Sequence, residues 1–166
     1  MFPDAEGLRP TPDRVRETLF NWLGQTLDGK RCLDLFAGSG ALGFEAVSRG
    51  AAEVVMVENN RAAFRALQEN CKKLACTNVA LRCEDGLEFA RRESGRYDVI
   101  FLDPPFQSSY LPKVLSLLAD RLTEEGLVYV ETGAVFEPDT GLQVVKSDRA
   151  GKVFYQLLRQ AQREPK

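Results

Sequence analysis

The segment Arg31-Cys32-Leu33-Asp34-Leu35-Phe36-Ala37-Gly38-Ser39-Gly40-Ala41-Leu42-Gly43 decides the fold. Arg31 to Phe36 is a short apolar strand interrupted only by Asp34, and it stops at a glycine cluster. Gly38, Gly40 and Gly43 satisfy the pattern G-x-G-x-x-G, and Ala41 to Arg49 then reads as a helix closed by Gly50. Glycines here let the chain turn tightly from strand into helix and let backbone approach a ligand closely.

The same alternation continues downstream. Glu53 to Val57 is a second, mostly β-branched strand, and Arg61 to Leu74 carries Phe64, Leu67, Cys71 and Leu74 on one helical stripe. A strand at Val79 to Arg82, a short helix at Gly86 to Arg92, a strand at Tyr97 to Leu102, a helix at Leu111 to Arg121 and a strand at Leu127 to Glu131 follow. Upstream, Thr11 caps a helix that has Pro12 at its first position and Val15, Leu19, Trp22 and Leu23 at helical spacing; it is expected to run to Leu27, with Gly29 ending it. After Glu131 the pattern changes to two strands, Leu142 to Lys146 and Val153 to Leu158, around a turn at Asp148 to Gly151. Strand and helix in alternation demand parallel strands with helices on both faces. The expected fold is therefore α/β, a doubly wound Rossmann-like sheet, mostly parallel, finished by a C-terminal antiparallel hairpin. One domain is expected over residues 1–166, with residues 1–11 as an N-terminal arm.

Composition narrows the functions. The chain is 44% hydrophobic and 28% charged, and no apolar run reaches the length of a membrane span. Met1 to Arg9 holds Pro3, Asp4, Glu6 and Gly7 where a signal peptide needs a basic start and an apolar stretch, so a cytosolic protein is expected. Cys32, Cys71, Cys76 and Cys83 form no CxxC pair and there is no histidine, which argues against metal and disulfide sites. A net charge of −2 and a pI near 5.4 exclude nucleic-acid binding by bulk charge. Contact with phosphate is left to local patches: Arg9, Arg14 and Arg16; Lys72 and Lys73; Arg91 and Arg92; Arg149, Lys152, Arg159, Arg163 and Lys166. Most of these read better as solvated helix faces and termini.

The glycine loop alone permits NAD. With Glu58 at the end of the next strand, placed to accept ribose hydroxyls, it suits any adenosine cofactor. Asp34 discriminates among them, since a carboxylate just before the loop repels a pyrophosphate and attracts an ammonium or a sulfonium. S-adenosyl-L-methionine carries both cations and no phosphate. Asp34 also reads as a cap for the loop backbone. Asp85 is placed to accept from an adenine amine, although an aspartate before a helix is commonly an N-cap.

The fourth strand delivers Asp103-Pro104-Pro105-Phe106 at its carboxyl end, where doubly wound folds bind ligands. Two prolines supply no N–H, so the loop offers carbonyls and a carboxylate, all acceptors. Such a loop fits an exocyclic nucleobase amine, whose lone pair is localised when its protons are held by Asp103 and the Pro104 carbonyl. Asp103 then serves as proton acceptor, and Phe106 offers a face for an unstacked base.

Leu8-Arg9-Pro10-Thr11, the run Asp13 to Asn21, the run Leu33 to Gly43, Glu45-Ala46, Ser48-Arg49-Gly50-Ala51 and Asp103-Pro104-Pro105-Phe106 together resemble the RsmD family, bacterial 16S ribosomal RNA guanine-N2 methyltransferases with the class I methyltransferase fold. The resemblance implies methyl transfer from S-adenosyl-L-methionine, giving S-adenosyl-L-homocysteine, to the N2 amine of a guanine, guanine 966 in the family, within the small ribosomal subunit or its assembly intermediate. It implies cofactor contacts from Asp34, Phe36, Ala37, Gly38, Ser39 and Gly40, from Glu58, and from Asp85 with Gly86. It implies catalysis at Asp103, Pro104, Pro105 and Phe106, and RNA contacts from Arg9, Thr11, Arg14 and Arg16. No metal and no membrane are expected, and the protein is expected to be monomeric. Family members begin with a basic, glycine-containing strand segment, whereas this sequence starts at Met1-Phe2-Pro3-Asp4. Three other readings stay open: an adenine-N6 methyltransferase acting on DNA or another RNA, a non-catalytic cofactor-binding module that assists ribosome assembly, and a nicotinamide enzyme that binds NAD.

Overall fold

Among the described residues one seven-stranded sheet has the order Val79–Arg82 (β3), Glu53–Val57 (β2), Arg31–Asp34 (β1), Tyr97–Leu102 (β4), Leu122–Thr132 (β5), Val153–Gln160 (β7), Leu142–Ala150 (β6), with β1 an interior strand as its apolar sequence requires. The computed structural model describes residues 13–24, 26–103, 110–133 and 141–160. The helices are Asp13–Leu23 (α1), Ala41–Ser48 (α2), Arg61–Lys73 (α3), Gly86–Arg92 (α4) and Tyr110–Leu118 (α5), the last continued by a 3-10 turn at Ala119–Arg121. β1 to β5 run parallel, β7 is antiparallel to β5, and β6 is antiparallel to β7. Among the described residues no helix is long and apolar enough to cross a membrane.

Strand alternation splits the core in two. On one face Leu33, Val55, Ile100, Leu102, Val128 and Leu158 meet Leu87 and Phe89 of α4 and Val114 and Leu118 of α5. On the other, Cys32, Val54, Met56, Phe101, Tyr129 and Leu157 meet Val15, Leu19 and Phe20 of α1, Leu42 and Ala46 of α2, and Leu67 of α3. Trp22 stacks on Tyr155 with centroids 5.3 Å apart, which holds α1 against β7. Cys32 sits in this second core, and burial pushes its thiol up to about 12, as expected of a packing residue.

Several boundaries differ from the sequence reading. α1 stops at Leu23 rather than Leu27, because Gly24 takes φ 106° and turns the chain four residues early. β1 ends at Asp34, two residues short of Phe36. Leu74 leaves the apolar stripe of α3: it is the C-cap residue, 61% exposed. β5 begins at Leu122, not Leu127, and a register shift against β4 between Tyr97 and Val99 absorbs the polar run Thr123-Glu124-Glu125. The hairpin strands are longer than expected, and the turn falls at Gly151-Lys152 instead of beginning at Asp148.

Candidate active site at the carboxyl ends of the strands

Four neighbouring strands deliver a carboxylate to the same edge and the same face of the sheet. Asp34 pairs in register with Met56 and with Phe101, and Phe101 pairs with Tyr129. Glu58, Asp103 and Glu131 each lie two residues beyond those partners, so alternation carries all four acids to the face covered by α1 and α2. Asp34 is 2% exposed, Glu58 7% and Glu131 4%, while Asp103 is half-buried.

Two of these acids also build the loop. The backbone N–H of Gly43 donates to Asp34 Oδ2 at 3.2 Å, which caps α2 from the strand because its own N-cap, Gly40, has no side chain to do so. Gly38 N–H donates to Glu58 Oε1 and Asn60 N–H to Glu58 Oε2, both at 2.8 Å. The capping alternative for Asp34 is thus realised, and Glu58 is a clasp on the glycine loop. Ala37 N–H closes the loop further by donating to the Val57 carbonyl at 2.9 Å.

Gly40 takes φ 84°, and a Cβ there meets Leu67 Cδ2 and Phe44 Cε2 at 2.6 Å. The Gly40→Ala substitution is expected to cost about 2 kcal/mol or more of stability, from left-handed backbone and overpacking together. Urea unfolding checks this, and a loss under about 0.5 kcal/mol overturns the steric account. Phe36 is half-buried with its ring over Gly86, where an added Cβ lies 2.9 Å from Phe36 Cε1. Ser39 is half-buried in the loop. Asp85 caps α4 by accepting the Glu88 N–H at 3.1 Å.

Electrostatics set the row apart. Burial, and then the charge of Glu58, hold the Asp34 carboxyl up at about 7 despite the Gly43 hydrogen bond. Burial, then Glu131, then Asp34 push Asp103 well above the ordinary carboxylate range. The Tyr129 hydroxyl donates to Glu131 Oε2 at 2.8 Å, and burial together with that carboxylate raises the phenol far above its usual value. A row of four carboxylates disfavours any ligand that brings phosphate.

Of the residues singled out in the sequence, Asp34, Gly38, Gly40, Glu58 and Asp103 converge on this edge, with Asp85 and Gly86 at the neighbouring end of β3. Pro104, Pro105, Phe106, Arg9 and Thr11 lie outside the described residues. Arg14 is exposed on α1 and acts electrostatically on the Tyr155 hydroxyl. Arg16 is engaged within the fold, its guanidinium 2.9 Å from Asp13 and 4.0 Å from Glu45. Glu131 and its partner Tyr129 were missed. Their signal was present, since an acid stands at or just after the carboxyl end of the apolar run in β5, as in β1, β2 and β4.

The family model described as Conserved hypothetical protein 95 matches residues 1–159. Ribosomal RNA small subunit methyltransferase D of Escherichia coli (strain K12) is 41% identical over 172 residues, covering 98% of this chain and 85% of that protein. Its Haemophilus influenzae counterpart is 42% identical over 166 residues, covering 93% and 84%. Among solved structures, the Escherichia coli protein yhhF superposes with a TM-score of 0.86 at 40% identity, covering 95% of this chain and 90% of that one. A ribosomal protein L11 methylase from Lactobacillus delbrueckii, 18% identical with a TM-score of 0.72, shares the fold. With the doubly wound sheet, the antiparallel ending and the acidic strand edge in place, the chain belongs to the ribosomal RNA small subunit methyltransferase D family.

Proposed function

We propose that this protein transfers a methyl group from S-adenosyl-L-methionine to the exocyclic N2 amine of a guanine in 16S ribosomal RNA, within the small ribosomal subunit or an assembly intermediate. The observation that carries the reading is the row Glu58, Asp34, Asp103 and Glu131, buried and half-buried carboxylates that a cation relieves and a pyrophosphate does not. The donor set therefore fits a sulfonium and an ammonium. When bound, S-adenosyl-L-methionine supplies an electrophilic methyl on a positively charged sulfur and leaves as S-adenosyl-L-homocysteine.

The chain's own groups do the rest. Asp34 faces the cofactor's positive charge while holding α2 through Gly43. Glu58 fixes the loop through Gly38 and Asn60, and its remaining lone pairs accept from ribose hydroxyls. Asp85 and Gly86 border the adenine. Asp103 and the Pro104 carbonyl accept the amine protons, and Asp103 takes the proton that methylation releases. Phe106 stacks on the unstacked base, and Arg9, Thr11 and Arg14 meet RNA phosphate, with Arg16 ordering that helix. Residues 1–166 act as one catalytic unit, a monomer working in the cytosol where ribosomes are assembled.

Transfer of labelled methyl to small ribosomal subunits lacking the modification, compared with naked ribosomal RNA and DNA and followed by nucleoside analysis, tests this. N2-methylguanosine is the expected product, and N6-methyladenine or no transfer overturns it. Replacing Glu58 by alanine is expected to weaken cofactor binding by roughly 1.5–3 kcal/mol, and also to lower the melting temperature, because the Gly38 and Asn60 N–H groups lose their acceptor. Calorimetric titration and thermal unfolding of Glu58→Ala check both halves, and unchanged affinity removes Glu58 from the site.

A further inference from the structure

Glu131 is the one acid of the row to which the proposed reaction gives no task. It lies one residue before the end of β5, and because Leu102 and Val130 are in register it stands beside Asp103, the residue after β4, about 4.8 Å away at the backbone. The hydroxyl of fully buried Tyr129 donates to its Oε2 at 2.8 Å. That hydrogen bond fixes the orientation of the Glu131 carboxylate, whose oxygens accept. Its burial keeps water from competing for that role.

Two adjacent acceptors select among amine-bearing bases. Guanine carries a ring N1–H next to its N2 amine, giving two neighbouring donors. Adenine and cytosine carry an unprotonated ring nitrogen next to the amine, whose lone pair a second carboxylate repels. We propose that Glu131, braced by Tyr129, accepts the N1–H of the target guanine while Asp103 takes the N2 amine, so that this carboxylate pair sets the preference for guanine. The inference rests on the reaction proposed above and assigns its base specificity to a named residue.

The test measures single-turnover methyl transfer by the full chain to reconstituted small subunits that carry either guanine or 2-aminopurine at the modified position. 2-Aminopurine keeps the N2 amine and replaces N1–H by a bare nitrogen. The wild-type protein is expected to favour guanine by roughly 10- to 100-fold, the worth of one specific base contact. Glu131→Gln should shrink that ratio to about threefold or less, because the amide can donate to the bare nitrogen, and Tyr129→Phe should give an intermediate ratio. Equal rates on the two bases with the wild-type protein, or an unchanged ratio in both variants, overturn the role of Glu131 while leaving the methyl transfer reaction in place. Absence of transfer to guanine, with adenine methylated instead, overturns the proposed reaction and the inference with it. The wild-type ratio and the Tyr129→Phe variant decide the matter even if Glu131→Gln fails to fold.

Discussion

Asp103→Ala is expected to lower methyl transfer by about 10²–10⁴-fold, the usual worth of a positioned proton acceptor, while leaving cofactor affinity within a few fold. The reason lies in the row itself. Asp103 directly follows β4, where burial, and then the charges of Glu131 and Asp34, hold its acidity well below that of an ordinary aspartic acid. Positive charge entering the row favours the ionised form of Asp103, which is the form that can accept a proton. The Asp103→Asn variant separates the two duties of the side chain: the amide oxygen still accepts from the substrate amine, but the group no longer takes up a proton. It is expected to bind RNA as the wild type does and to lose most of kcat. Single-turnover kinetics and cofactor titration read the two quantities separately. Turnover within about threefold of wild type in both variants removes Asp103 from the chemistry.

Asp34→Asn is expected to make the free protein more stable at pH 8 and nearly unable to hold its cofactor. In the folded chain Asp34 titrates at about 7, above the 3.8 of an unperturbed aspartate. The folded state therefore retains a proton that the unfolded state has released. Stability contributed by this group is full below pH 4, declines as pH rises towards 7, and is flat above that. Ionised Asp34 thus costs on the order of a few kcal/mol at pH 8, which asparagine avoids while its carbonyl still accepts from Gly43. The same linkage fixes cofactor affinity. A cation prefers the ionised acid, so affinity in the wild type is expected to fall by about tenfold per pH unit below 7 and to level off above it, with a proton released on binding in acid. Calorimetry in buffers of different ionisation enthalpy measures that proton. A pH-independent affinity, or an Asp34→Asn protein that binds as the wild type does, ends this account.

Much of the fold was legible because strand and helix alternate cleanly from Arg31 to Val130. β2, β3, α4 and β4 match their sequence-derived limits residue for residue, each being bounded by a charge or a turn former. Misplaced limits share one cause, tertiary context outweighing local pattern. Thr123-Glu124-Glu125-Gly126 looks like a loop, yet it continues β5 because Gly126 alone fits against the Tyr97 carbonyl, where a Cβ would sit at 2.9 Å. Leu74 keeps the period of α3 but falls beyond the helix, where it is mostly exposed. At the site, Asp34, Glu58 and Asp103 were visible as acids ending strands. Glu131 went unnoticed because its meaning depends on which strand lies next to β4, and adjacency in a sheet is not written in linear order.

The stacking of Trp22 on Tyr155 gives the protein a built-in optical gauge. Trp22 is the only tryptophan in the chain and sits at the far end of the helix that carries Arg14 and Arg16 over the sheet. Its emission therefore reports whether that helix is seated on β7, without any label. An RNA that engages the helix leaves the indole quenched or shifted in proportion to how far it reseats the contact, so occupancy and docking become readable in a single cuvette.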